Sequence, residues 1–245
     1  MPNKKFVIKG TLIDGIHKEP IKQGVVVVDD NIITDVNKEN EVNLPEDAEI
    51  IQGKTIMPGM IDCHVHFDSN GDEPDMAKPI LESTMSMYAI KAAVYAQRDI
   101  EAGFTTVREL GSSGYLGISL RDAIKKGIIP GPRILTAGQS LSITGGHGVI
   151  FPPWIHLDSN LDLATFADGV EEVRKKVREL IGSGVDWIKL LATGGVFDIT
   201  TSPGAQNYNL DEIKVAVEEA HKLGKRVAAH VEGLDGAKDC IRAGV

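Results

Sequence analysis

Only two cysteines, Cys63 and Cys240, occur in the 245 residues. They stand far apart, one in an expected strand and one in an expected helix, so a disulfide-stapled scaffold is excluded and reduced thiols are expected. Blocks of one charge sign are also missing. The formal net charge is −9 with acidic and basic residues interspersed, which argues against an electrostatic nucleic-acid footprint and for a small-molecule partner. No run approaches the roughly 18 apolar residues of a membrane span, and the N-terminal segment turns polar again at Lys9 without an apolar core of signal-peptide length. No membrane partner and a cytoplasmic location are therefore expected.

What the chain does have is a normal supply of core: 42% hydrophobic and 25% charged residues, the balance of a folded globular protein rather than a disordered one. Residues 5–12, 24–29, 31–36 and 48–56 read as short strands, with Asp29-Asp30-Asn31 as a turn. Pro58-Gly59 then marks a change of pattern. Two domains are expected, a small β unit over 1–57 and a second architecture over 58–245.

In the second part strands and helices alternate. The run Met57–Phe67 contains the first strand, and the helical stretch Thr84–Ala102 stops at Gly103. Phe104–Leu110, Arg133–Ala137, Trp187–Leu191 and Arg226–His230 follow as strands. Helices are expected over Leu116–Lys126, around Val170, Val173, Val177, Leu180 and Ile181, from the capping pair Asn209 and Glu212 to Leu223, and over Leu234–Ala243. Five such units predict an α/β fold with parallel strands, either a doubly wound sheet or a (β/α)8 TIM barrel. A nucleotide-binding doubly wound fold would carry a glycine-rich phosphate turn after its first strand, and none is there. The barrel is favoured because the chemistry-bearing residues fall at the carboxyl ends of several strands, although only about five of eight units are present.

Those residues begin with His64 and His66. Alternation along a strand puts both on one face with Val65 on the other, a metal-ligand geometry at the end of an apolar run. A lone histidine is more often a satisfied core residue, but an H-x-H pair followed by Asp68, Asp72 and Glu73 is harder to dismiss. Asp62 shares the face of His64 and is a candidate for orienting it. Lys189, flanked by Trp187, Ile188, Leu190 and Leu191, is expected to be buried, and burial favours the neutral amine. Such an amine can combine with carbon dioxide to give a carbamate able to bridge two divalent metals; pairing with a buried carboxylate is the plainer alternative. His230 closes its strand on the same predicted rim. Imidazole and carboxylate oxygen are ligands that zinc accepts, and two ions could hold a bridging hydroxide for attack on an amide carbonyl. His147 stands among glycines in a loop, and Arg108 with Glu109 could be a barrel-interior ion pair or a substrate contact. Thr193-Gly194-Gly195 would let backbone approach a ligand. His17, His156 and His221 read as surface.

Together the segments Met57-Pro-Gly-Met-Ile-Asp-Cys-His-Val-His, Gly103-Phe-Thr-Thr-Val-Arg-Glu-Leu, Thr144-Gly-Gly-His-Gly, Ile188-Lys-Leu-Leu-Ala-Thr-Gly-Gly-Val and Ala229-His-Val-Glu-Gly resemble the amidohydrolase superfamily. The resemblance is strongest to its metal-dependent Xaa-Pro and Xaa-Arg dipeptidases, relatives of imidazolonepropionase. It implies a TIM barrel joined to a small β-sandwich domain and two divalent metal ions, zinc by donor type. His64 and His66 would bind the first metal, carboxylated Lys189 would bridge, and His230 would bind the second. His147 would meet the substrate's carbonyl or carboxylate, with Arg108 as a further substrate contact. The implied reaction is hydrolysis of a dipeptide or N-acyl amino acid, and a homo-oligomer is expected at full length. A deaminase or cyclic-amide hydrolase on the same scaffold, and a non-catalytic binding protein, are the alternatives.

The pattern of the superfamily continues with a histidine on a sixth strand and an aspartate on an eighth, and neither position exists in these 245 residues. The expectation is a partial chain with little activity alone.

Overall fold

The computed structural model describes residues 4–72, 77–152, 154–155, 162–196, 198 and 201–245. Glu73 and His156 lie outside the described residues. The chain divides into two compact units, Met1–Gly59 and Met60–Val245.

The first unit is a single four-stranded sheet. Its strands are β1 (Lys5–Leu12), β2 (Ile21–Asp29), β3 (Ile32–Lys38) and β4 (Glu49–Ile56), in the order β3-β2-β1-β4. The β1–β2 and β2–β3 pairs are antiparallel, and Asp30 turns the second hairpin with φ +57°, a left-handed conformation that Asp tolerates. β4 returns parallel to β1. Val7, Val25 and Val27 are buried against Val42, Leu44 and Ala48, while Ile32, Ile33, Ile50 and Ile51 stay exposed. Among the described residues this unit forms one sheet layer.

The second unit is built from parallel strands with helices behind them. In chain order it contains β5 (Met60–Val65), α1 (Ala77–Glu82), α2 (Met85–Glu101), β6 (Phe104–Glu109), α3 (Leu116–Lys125), β7 (Arg133–Thr136), β8 (Ser140–Ser142), β9 (Ala164–Phe166), α4 (Gly169–Gly182), β10 (Trp187–Leu191), α5 (Leu210–Lys222), β11 (Arg226–His230) and α6 (Leu234–Ala243). The strand orders are β5-β6-β7 and β11-β10-β8-β9, every pair parallel. No closed barrel forms among the described residues.

The expected third strand, Arg133–Ala137, is β7, and the bend Ala137-Gly138-Gln139, with Gly138 at φ +62°, leads from it to β8, a strand not expected from the sequence. The amide of Asp186 donates to the Thr136 carbonyl at 2.7 Å and that of Ser112 donates to the Gly138 carbonyl at 3.0 Å, so the bend stays tied to its neighbours.

Alternation along the strands sorts the side chains. Val107 and Ile134 face α2 and α3 and pack on Ala92, Ala96, Leu116 and Leu120. Ile188, Leu190 and Val227 likewise pack with Val173, Val177, Ile213 and Ala216 of α4 and α5. The residues between them, Arg108, Lys189 and Ala228, therefore belong to the opposite face. Helix starts follow local chemistry: Thr84 Oγ1 accepts from the Met87 amide, and Asn209 with Glu212 forms a complete capping box on α5. No helix of the described residues is long and apolar enough to cross a membrane. Both cysteines are free, Cys63 exposed and Cys240 buried.

Candidate metal centre and its surroundings

The end of β5 brings the Nε2 atoms of His64 and His66 to 3.2 Å from each other. His66 Nδ1 lies 2.7 Å from the Gly111 carbonyl, which can only accept, so this nitrogen carries the proton and Nε2 of the neutral ring keeps its lone pair. Two ligands on a tetrahedral zinc ion, with Zn–N bonds of about 2.0–2.1 Å, stand roughly 3.3 Å apart. The observed separation fits that spacing. Protonation of His64 is disfavoured: burial first, then the cationic Lys189, lower its pKa to about 4. Asp62 does not reach the imidazole; its Oδ1 accepts from the His64 backbone amide at 2.9 Å and so fixes the strand end.

Lys189 lies on β10 with only 3% of its surface exposed. Burial is the largest cause of a pKa lowered to about 8, with the Arg108 guanidinium adding to it and the Glu109 carboxyl opposing. At pH 7 roughly one amine in ten is then neutral, against about one in three thousand for an ordinary lysine. Arg108 itself donates from Nε to the Cys63 carbonyl at 2.8 Å and stacks 4.6 Å above the Trp187 ring. Trp187 precedes Lys189 by two residues on the same strand, so these contacts anchor Arg108 toward the amino end of β10. Arg108 and Glu109 do not face each other.

His230 pairs in register with Leu191, one two-residue step beyond the Lys189–Ala228 pair. Its Nε2 is 3.3 Å from the Gly194 carbonyl and 3.5 Å from Glu232, and burial followed by the neighbouring His147 lowers its pKa. His147, carried by the loop after β8, packs on it with ring centroids 4.3 Å apart. Asp198 Oδ1 holds His147 Nδ1 at 2.6 Å. Burial works upward on the Asp198 carboxyl, but hydrogen bonds from His147, Thr201 and the Gly195 amide outweigh it and keep the group below the ordinary carboxylate range. A Cβ at Gly195 would stand 2.3 Å from His147 Cε1, and one at Gly194 would strike the Ser202 carbonyl. These glycines serve a close approach, as their place after a strand allowed, but the group approaching Gly195 is a side chain of the protein.

The site residues thus fall into two pairs, His64 with His66 and His147 with His230, with Lys189 in electrostatic reach of His64 and His230. Among the described residues no group of three or more His, Cys, Asp and Glu side chains is disposed to hold a metal ion. Asp72 bonds only locally, with Asn70. His17 is exposed and paired with Asp14 at 2.7 Å, and His221 is exposed.

Sequence reasoning missed Asp198, 51 residues from its partner His147 in a loop without periodicity. The sequence names Asp68 and Glu109 as candidates but does not reveal their partners. Asp68 is part-buried and accepts from the Ser113 amide at 3.3 Å, its pKa raised by desolvation. Glu109 is fully buried, and burial raises its pKa to about 8.

A search for related proteins matches residues 55–245 to the amidohydrolase family. The chain belongs to that family. The ochratoxinase of Aspergillus niger is 33% identical over 98% of this chain and 52% of its own length. Two solved structures cover 99% of this chain and 60% of theirs: a Xaa-Pro dipeptidase with methionine bound in its active site, 34% identical with a TM-score of 0.84, and a prolidase complexed with N-methylphosphonate-L-proline, 33% identical with a TM-score of 0.86. This amidohydrolase-family chain therefore spans about half the length of the curated relatives it matches, and its parallel strands and helices are those of a TIM-barrel-type fold.

Proposed function

We propose that this chain carries the first part of a two-metal active site that hydrolyses the amide bond of a dipeptide or N-acyl amino acid. The observation that carries the reading is the 3.2 Å apposition of His64 and His66 beside a nearly inaccessible lysine of lowered pKa. His64 and His66 would hold one divalent cation through Nε2, and His230 would contribute to a second after turning from the Gly194 carbonyl. Lys189 reaches the role of bridge by adding its neutral amine to carbon dioxide: a C–N bond forms, one proton leaves, and a carbamate with two oxygens results. When bound, divalent cations supply Lewis-acid polarisation and a water of lowered pKa. His147, oriented by Asp198, would donate to the substrate's carbonyl or carboxylate. Relatives whose names specify a Xaa-Pro dipeptidase and a prolidase support a substrate with an amide bond next to a free carboxylate.

The test is metal content of the purified chain together with intact-peptide mass of the Lys189 segment after growth with zinc and bicarbonate. Bound zinc and a carbon dioxide increment on Lys189, both abolished in His64→Asn, support the reading. A metal-free chain with unmodified lysine under these conditions overturns it. Release of amino acid from Xaa-Pro and N-acyl substrates by the full-length protein tests the reaction itself.

A further inference from the structure

We propose that Glu109 is a positioning residue for His66, acting through the backbone of Gly111. Its functional meaning rests on the reading of His66 as a metal ligand. Glu109 Oε1 accepts the Gly111 amide at 2.8 Å, and the Gly111 carbonyl accepts His66 Nδ1 at 2.7 Å. These contacts fall on the two peptide groups flanking the Gly111 Cα, so Glu109 anchors the near end of the residue whose carbonyl holds His66.

A second route reaches the same carbonyl. Thr136 Oγ1 donates to Glu109 Oε2 at 2.5 Å and accepts from the Gly138 amide at 3.0 Å. The Gly138 carbonyl in turn accepts from the Ser112 amide at 3.0 Å. That amide shares its peptide group with the Gly111 carbonyl. Glu109 therefore governs the acceptor of His66 from both sides.

The backbone is shaped for this. Gly111 has φ +146°, and a Cβ there would stand 2.7 Å from Ser140 Oγ and 3.3 Å from His66 Cε1. Gly117 in the first turn of α3 closes over the carboxyl, where a Cβ would lie 2.5 Å from Glu109 Oε2. The side chain is fully buried. A buried carboxyl is a costly space filler, which an apolar residue would replace at less cost, so its hydrogen bonds are its purpose.

The test reads the His66 tautomer directly, from long-range 1H–15N spectra of the 15N-histidine-labelled chain, the His66 signals being assigned by their absence in His66→Asn. In the unsubstituted chain and in Glu109→Gln, which keeps the acceptor for Gly111, the proton is expected on Nδ1. In Glu109→Ala the pattern should shift to mixed tautomers, and titration with Zn2+ should show binding weakened roughly tenfold. An unchanged His66 pattern in a folded Glu109→Ala chain overturns the proposal, as does a Glu109→Gln chain disturbed as much as Glu109→Ala. Thr136→Val keeps the shape and cuts only the second route; it should move the His66 signals, and if Glu109→Ala does not fold, unmoved signals in Thr136→Val overturn the proposal. Absence of Zn2+ binding by the unsubstituted chain would strike the metal reading and leave the tautomer result standing.

Discussion

The imidazole of His147 lies against that of His230, centroids 4.3 Å apart and planes inclined by 37°. A loop residue and a strand-end residue are thereby joined, with Gly195 beneath the first. Substituting Gly195→Ala would place a methyl group 2.3 Å from His147 Cε1 and drive the ring away from Asp198. Loss of one charge-assisted hydrogen bond to substrate is worth about 1.5–3 kcal/mol. Affinity of the full-length protein for an N-acyl-proline, measured by calorimetry, should fall about tenfold or more while metal content is unchanged. Unaltered affinity would remove His147 from the substrate site.

His66→Asn removes one of two nitrogens facing a common point. Divalent metal retained by the chain after dialysis should drop to background, with the thermal midpoint of the metal-free chain little changed, because His66 is exposed. Metal retention equal to that of the unsubstituted chain would contradict the assignment.

Lys189→Met exchanges an ammonium at 3% exposure for an apolar chain of similar length. The metal-free variant should be more stable by on the order of 1–3 kcal/mol in urea unfolding, since no buried charge remains to be desolvated. A destabilised variant would show that Lys189 is held by a partner that compensates its burial.

Glu219 on α5 accepts from Arg174 and Arg178 of α4 at 2.7 and 2.9 Å and from Lys222 at 3.0 Å. Hydrogen bonds from Arg178 and Lys222 lead in lowering its pKa to about 2. A carboxylate depressed in the folded state gives stability that is full above the unfolded pKa and disappears as pH falls through the folded one. The contribution should therefore fade between about pH 4.5 and pH 2. Chemical denaturation across that window should show a shallower acid decline for Glu219→Gln than for the unsubstituted chain, and parallel curves would refute the linkage.

The structure also shows which signals in the chain are strong. β1, β10, β11 and α6 occupy the residues that their β-branched runs and stop signals predict, and α2 sits between Thr84 and Ala102 as its cap predicts. β8 and β9 escape notice because three residues are too few for a period, and because β8 is buried through Ser140 and Ser142, whose polarity reads as loop. The histidines of the site are legible because their strand ends are apolar runs broken by polar residues. Asp198 and the Glu109 network are not, since what they do depends on partners brought together only by folding. The ion pair weighed for Arg108 and Glu109, beside a substrate contact, shows the same limit: adjacent residues on a strand point to opposite faces, where each finds a partner from another segment.

The strand order has a consequence for the time course of assembly. β5, β6 and β7 are neighbours in space in the order in which they are synthesised, and so are β8, β10 and β11. β6 docks on β5 and β7 on β6, and β10 and β11 likewise join strands already made, through connections that carry their helices, which keeps the separation of contacting residues small. His64 and His66 are laid down early on the emerging chain, Lys189 and His230 much later. The candidate site thus draws its residues from both early and late strands of this order.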